Sequence, residues 1–254
     1  AALLPSNIHL VMSSRGQRPL CLARLRSQAQ LLEVDSADLR FTAVEVEQFL
    51  TKVMHLSLSP VDRTALEMRT EGWIAGLQLA GLSLQGEPNP SGFISTFRGT
   101  DRHVGDYLFE EVLRHQPDQI REFLLHTSIV DSLCAGLCDA LLDQNYSQAM
   151  LEQLDRLRLF VNPIDNQRQW YRYHALFRDL LQHHLGLESS EEIAGLNARA
   201  SLWYEQQGRL HEAIHHGLLA EDYDRTAGLI EAVFQYRDWV HHDMHHLLTW
   251  FESL

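Results

Sequence analysis

The chain has 254 residues, 45% of them hydrophobic, and 34 Asp and Glu against 21 Lys and Arg give a formal net charge of −13. That length exceeds what one compact core usually uses, so two or three domains are expected, and the negative field repels a phosphate backbone, arguing against nucleic-acid binding by the chain itself. No apolar run approaches the ~18 residues of a membrane helix, and the opening AALLPSNIHLVMSS lacks the basic region, apolar core and cleavage site of a secretory signal, which predicts a cytoplasmic protein with no membrane partner.

In chain order, ALLPSN reads as a helix end running at once into an apolar strand, the form of a piece of something longer. IHLVMSSR (8–15) resembles a buried parallel strand whose carboxyl end opens into a site, and LLEV (31–34) a second strand; the basic segment between them contains Pro19. The pattern then turns helical. Thr42 with Glu45 three residues on forms a capping box, with Val46, Phe49, Leu50 and Val53 as the apolar face. Ser59-Pro60 starts another helix with proline in its first turn. In EGWIAGLQLAGLSL, Ile74, Leu77, Ala80, Gly81 and Leu84 recur at helical spacing, and QGEPNPSG (85–92) is the strongest linker signal of the chain.

Three helices are predicted in DYLFEEVLRHQ, PDQIREFLLHTSI and AGLCDALLD, followed by a helix and a hairpin turning near Asp165-Asn166, the order of a winged helix. The stretch WYRYHALFRDLL alternates like a strand and then repeats like a helix, which puts His174 where one hands over to the other. The first turn of a helix has unpaired N–H groups and the positive end of the dipole, so a residue there is placed to help hold a phosphate; a capping or packing histidine is the other reading. From Glu191 the pattern stays helical, broken at Gly208, at Glu221-Asp222 and near Tyr236, with spacing similar to tetratricopeptide-type hairpins.

Among reactive residues, Cys21, Cys134 and Cys138 are too few for a disulfide framework or a four-ligand zinc site, and the last two read as small core residues. HEAIH (211–215) satisfies H-E-x-x-H, which on a helix sets two imidazoles on one face for zinc, but Gly217 and Glu221 do not supply the extended form of the motif. HHDMHH (241–246) could take up added metal. No complete active site emerges, so the chain is expected not to be an enzyme.

Taken in order, IHLVMSSR, PLCLARLR, LLEVDSADLRFTAVEVEQFL, TEGWIAGLQLAGLSL, YLFEEVLRHQPDQIREFLLHTSIVDSLCAGLCDAL and LFVNPIDNQRQWYRYHALFRDLL resemble the large ATP-binding LuxR-type transcriptional regulators of the signal-transduction ATPase class, related to the maltose-regulon activator. The resemblance covers essentially the whole chain. It implies a mainly α chain: residues 1–40 as the tail of an α/β P-loop domain, 41–88 a small helical domain, 91–188 a winged helix with its β-hairpin, and 189–254 the start of a superhelix of stacked helical hairpins. Walker A and Walker B would lie upstream of Ala1 and a DNA-binding helix-turn-helix beyond Leu254.

The resemblance also assigns nucleotide contacts. Arg15 matches the arginine that reaches toward the terminal phosphate of ATP; a solvated turn arginine is the alternative. Gly72, Trp73 and Ile74 match the region that packs on adenine, with Ile74 where many relatives have a proline. His174 matches the histidine of a Met-His-Asp motif that ties the winged helix to the β-phosphate of ADP, although Tyr173 and Ala175 replace its neighbours. The full-length protein is therefore expected to use ATP or ADP with Mg as a weak regulatory ATPase, to answer a small-molecule or protein inducer by self-association, and to reach DNA only through its C-terminal domain. Residues 91–188 hold nine Arg and no Lys against fourteen Asp and Glu, a balance of −5, so the winged helix is expected not to read DNA. The rival readings are a helical interaction scaffold without a nucleotide role and, behind it, a zinc hydrolase.

Overall fold

Where the sequence supplies a side-chain cap, a helix begins. A computed structural model describes residues 10–13 and 22–236. After a short helix α1 (Ala23–Ser27), the Thr42 hydroxyl accepts from the Glu45 N–H while the Glu45 carboxylate accepts from the Thr42 N–H at 2.9 Å, and this capping box starts α2 (Ala43–Gln48). Ser59 accepts from the Asp62 N–H ahead of α3 (Pro60–Thr70), whose proline lies in the first turn. Helices α4 (Ile74–Leu84), α5 (Pro90–Thr96), α6 (Arg102–Leu108), α7 (Asp118–Thr127), α8 (Ala135–Leu142) and α9 (Ser147–Leu157) follow. Cys138 is fully buried and Cys134 half-buried, as small core residues.

Strands β1 (Val161–Pro163) and β2 (Tyr171–Tyr173) form an antiparallel hairpin with Val161 opposite Tyr173. Its turn is fastened by Asp165, whose carboxylate accepts from the Gln169 and Trp170 N–H groups. Leu133 adds a third rung through paired backbone bonds to Tyr171 at 2.8 and 2.9 Å. Alternation buries Tyr171 and Tyr173 and leaves Arg172 facing the other way. Helix α10 (Ala175–Leu185) follows without a loop and turns Leu176, Phe177, Leu180 and Leu181 into a core continuous with that of α3, α4, α6 and α7.

Helices α11 (Ser190–Gln206), α12 (Leu210–Leu219) and α13 (Tyr223–Tyr236) pack each on the next, and α11 also lies on α8. The turn between α11 and α12 uses Gly208 at φ +71°, a conformation favourable only for glycine. Within this stack two buried polar pairs are made: Ser201 donates to the Ala213 carbonyl at 2.5 Å, and His216 Nδ1 meets Asn197 Oδ1 at 2.8 Å.

Four expectations need correction. Residues 31–34 are not a strand, nor are residues 10–13 of the expected strand 8–15; Val11 is 91% and Leu32 88% exposed. A strand needs a neighbour for its ladder, and the described residues supply none to these two segments. Val53 is exposed because the helix widens to a π turn over Phe49–Val53, rotating the last residues off the apolar face. The linker 85–92 ends early: Asn89 accepts from the Gly92 N–H and starts α5, which packs on α3. Cys21 and the histidine run 241–246 lie outside the described residues.

The turn after α5 is clamped on α10. A Cβ at Gly99 would lie 1.6 Å from the Leu176 carbonyl oxygen, and the Gly99 N–H donates to Asp179 at 3.2 Å. Gly99→Ala must therefore push α10 away, and a loss of about 2 kcal/mol or more is expected in urea unfolding; wild-type stability would show that this approach is not needed.

Candidate functional site

The residues around His174 assemble at a seam where the end of α3 and the start of α4 meet the hairpin and α10. Helix α3 stops because Glu71 turns left-handed (φ 50°) and Gly72 continues so (φ +72°). A Cβ at Gly72 would approach the Phe41 carbonyl oxygen to 2.6 Å, and the Gly72 carbonyl accepts from the Phe41 N–H at 2.9 Å, so glycine is required there twice over. Across the seam Phe160, also left-handed (φ 57°), accepts the His174 N–H at 2.8 Å and sets the exit of the hairpin.

His174 is 3% exposed. Its Nε2 lies 2.9 Å from the Thr70 carbonyl, which can only accept, so Nε2 carries the proton and donates; Nδ1 is buried with no hydrogen-bond partner. Trp73 and Phe160 meet the ring edge to face, with centroids 5.8 and 5.7 Å away, and contact one another at 5.0 Å. Gly76 makes room for the indole, since a Cβ there would lie 2.5 Å from Trp73 Cε3.

The centre of the seam is Glu71, a residue that the sequence reading missed. Its Oε1 and Oε2 accept from the two Nη atoms of Arg172, both at 2.8 Å; the Arg40 Nη1 donates to Oε2 at 3.3 Å, and the Ala175 N–H at the start of α10 donates to Oε1 at 3.1 Å. Glu71 and Arg172 are 101 residues apart, and no spacing rule links them. Of the sequence-predicted site residues, His174, Gly72 and Trp73 come together here, Ile74 begins α4 half-buried beside them, and Arg15 lies outside the described residues.

The HEAIH histidines lie on α12, remote in role from this seam: Glu212 is engaged by Arg209 and His215 is exposed. Among the described residues, the side chains that converge with metal-ligand spacing are instead His126, Glu188 and Glu192.

Burial holds the His174 imidazole below its ordinary pKa, against the opposing pull of the Glu71 carboxylate and the Thr70 carbonyl. Burial pushes Glu71 upward, but the Arg172 hydrogen bonds, His174, the Ala175 N–H and the Arg172 charge outweigh it, and the net displacement is downward. His216 is pushed down to about 4, first by burial and then by His215. In each case the folded protein binds the proton less well than the unfolded chain does. The associated stability is complete above the unfolded pKa and is lost as pH falls through the folded one. Loss is expected to begin below about pH 6.5 for the histidines and to continue below about 4.3 for Glu71. Urea midpoints across pH 7 to 5 should fall less steeply for His174→Gln, which keeps a donor for Thr70 and takes up no proton; an unchanged slope would remove His174 from the acid response.

Comparison with known proteins finds similarity over most of the chain. The family model described as MalT winged helix domain matches residues 109–193, from the turn after α6 into α11. The chain is 36% identical over 225 residues to the serine/threonine-protein kinase PknK of Mycobacterium tuberculosis, covering 89% of this chain and 20% of that protein. It is 35% identical over 221 residues to the HTH-type transcriptional regulator MalT of Serratia proteamaculans, covering 86% of this chain and 24% of the relative. The MalT of Yersinia enterocolitica is 34% identical over 238 residues, 92% of this chain and 26% of the relative. The chain thus spans a fifth to about a quarter of the length of these curated relatives. The hairpin-to-helix junction thus lies inside a segment that matches the MalT winged helix domain, and the similarity to these relatives extends beyond it over most of the chain.

Proposed function

We propose that this chain is the regulatory middle of an ATP-dependent, LuxR-type transcriptional activator of the signal-transduction ATPase class, and that the seam around His174 is where nucleotide state is felt. The role is regulatory rather than catalytic. Relatives named as a serine/threonine-protein kinase and as a transcriptional regulator share this stretch, which supports a regulatory module common to both.

The observation that carries the reading is the donor set gathered at one place: the His174 Nε2–H, the Arg172 and Arg40 guanidinium groups, and the Ala175 N–H at the start of α10. Such a set fits the phosphates of ADP. It is engaged by the chain's own Thr70 carbonyl and Glu71 carboxylate. A buried neutral imidazole can reach a phosphate oxygen only through an N–H, so His174 would contact ADP by transferring its Nε2–H from Thr70, or by protonating Nδ1 against the cost of burial. ADP would hold the regulator closed. Inducer, small molecule or protein, acting with ATP would favour the open, self-associating form, and a C-terminal domain would bind DNA. A nucleotide biases such an equilibrium only by its different affinity for the two states. The P-loop, with Mg, would supply the rest of the nucleotide site.

In the full-length regulator His174→Ala is expected to weaken ADP retention about tenfold to a hundredfold, the worth of one charge-assisted hydrogen bond, and to raise activity without inducer. A variant that keeps ADP as tightly as wild type and stays silent would sink the reading, and calorimetry giving no heat with ADP at all would favour the scaffold.

A further inference from the structure

Away from the seam, three metal-ligating side chains from separate segments converge between the winged helix and the helical stack. His126 is in the last turn of α7, Glu188 in the connection after α10, and Glu192 in the first turn of α11. His126 Nε2 lies 3.1 Å from Glu188 Oε2 and 3.7 Å from Glu192 Oε1, and one ligand atom from each lies within 4.8 Å of the others. From these positions we infer a binding site for a zinc-class divalent cation, with Nε2 and one oxygen of each carboxylate as its protein ligands.

Bonds of about 2.0–2.2 Å around a tetrahedral ion place neighbouring ligand atoms roughly 3.4 Å apart. The two distances from the imidazole bracket that value. The charges also match: two carboxylates and a neutral imidazole carry −2, and a divalent ion balances them. The geometry brings two carboxylates to one imidazole. A neutral Nε2–H serves one acceptor well, which leaves the second carboxylate at 3.7 Å, beyond hydrogen-bond reach, with a like charge beside it.

Glu192 has an alternative that it does not take. It is the third residue of α11, and its N–H already donates to Ser189, the geometry in which a glutamate returns to close a capping box. Its carboxylate is turned toward His126 instead. The imidazole is the fixed member of the set, its side chain only 12% exposed, while Glu188 and Glu192 remain open enough for an ion to enter. The end of α7 that carries His126 is anchored: Thr127 is hydrogen-bonded to Phe123 and Tyr173, and Gln182 of α10 donates to the Ser128 carbonyl. A cation here would pin the start of the stack to the winged helix and fix the angle at which α11 leaves it. Imidazole together with carboxylate ligands suits zinc better than magnesium or calcium, which take all-oxygen sets.

The chain, stripped with chelator, can be titrated with zinc chloride by calorimetry and with cobalt chloride by visible absorption. Wild type is expected to bind one equivalent, with a rise in Tm on zinc addition. Both His126→Ala and Glu192→Gln should weaken that equivalent at least about tenfold and abolish the thermal shift. Glu192 is half-exposed, so its variant tests the site without disturbing the core. Wild-type protein that takes up no zinc would overturn the inference. So would variants that bind it with unchanged stoichiometry and affinity, since the metal would then sit on other histidines.

Discussion

The Glu71 carboxylate is the interaction on which the seam depends. A charge with a side chain only 10% exposed is strongly destabilising unless its lost hydration is replaced, and here Arg172, Arg40 and the Ala175 N–H replace it. These donors come from before α2, from the hairpin and from the start of α10, so one anion orders three segments distant in sequence. The backbone concedes something for this. Glu71 and Phe160, both non-glycine residues, sit in left-handed conformations on either side of His174, each costing on the order of 1 kcal/mol or more. Such strain persists only where surrounding contacts over-determine it.

The polar character of the joint has a consequence for switching. An interface of interlocked leucines separates only by exposing apolar area, and no small ligand compensates that easily. A joint made of donors around one carboxylate can be opened by an anion that takes over those donors, but the exchange is balanced only if the Glu71 carboxylate regains water or other donors as they leave it. The aromatic rings of Phe160 and Tyr107 pack on Trp73, which meets the His174 ring edge to face.

Local order was legible in the sequence, and the seam was not. The Thr42–Glu45 box, the proline start of α3, the Asp165 turn and the change of period at His174 are all short-range features, written in residues a few positions apart, and the structure contains each of them. Periodicity failed where a tertiary partner decides. The run 31–34 has strand composition but, among the described residues, no ladder to join, and Val53 has the right spacing for an α-helix that has become a π turn. Glu71 and Arg172 could not be paired by any local rule. The one available signal was indirect: a glutamate immediately before a turn glycine, in a helix end that needed a left-handed residue, is a charge placed where backbone strain must be justified by contacts.

The same charges bear on what the winged helix can do. On the hairpin and its flanking helices Arg158 and Arg168 face Asp155, Arg178 is paired with Asp131, and Arg172 is held by Glu71. A fold of this shape that reads DNA needs guanidinium groups free to replace the counterions of the phosphate backbone. Here each of these arginines already has a carboxylate partner within its own chain, and releasing Arg172 would strand a buried anion. The hairpin therefore serves internal attachment: its inner face is two tyrosines in the core, its outer face one arginine fastened to the end of α3, and the histidine that follows completes the joint. A wing that is bound to its own neighbour in this way moves only when that neighbour does, which makes it suited to transmit a change of state between the helices on either side.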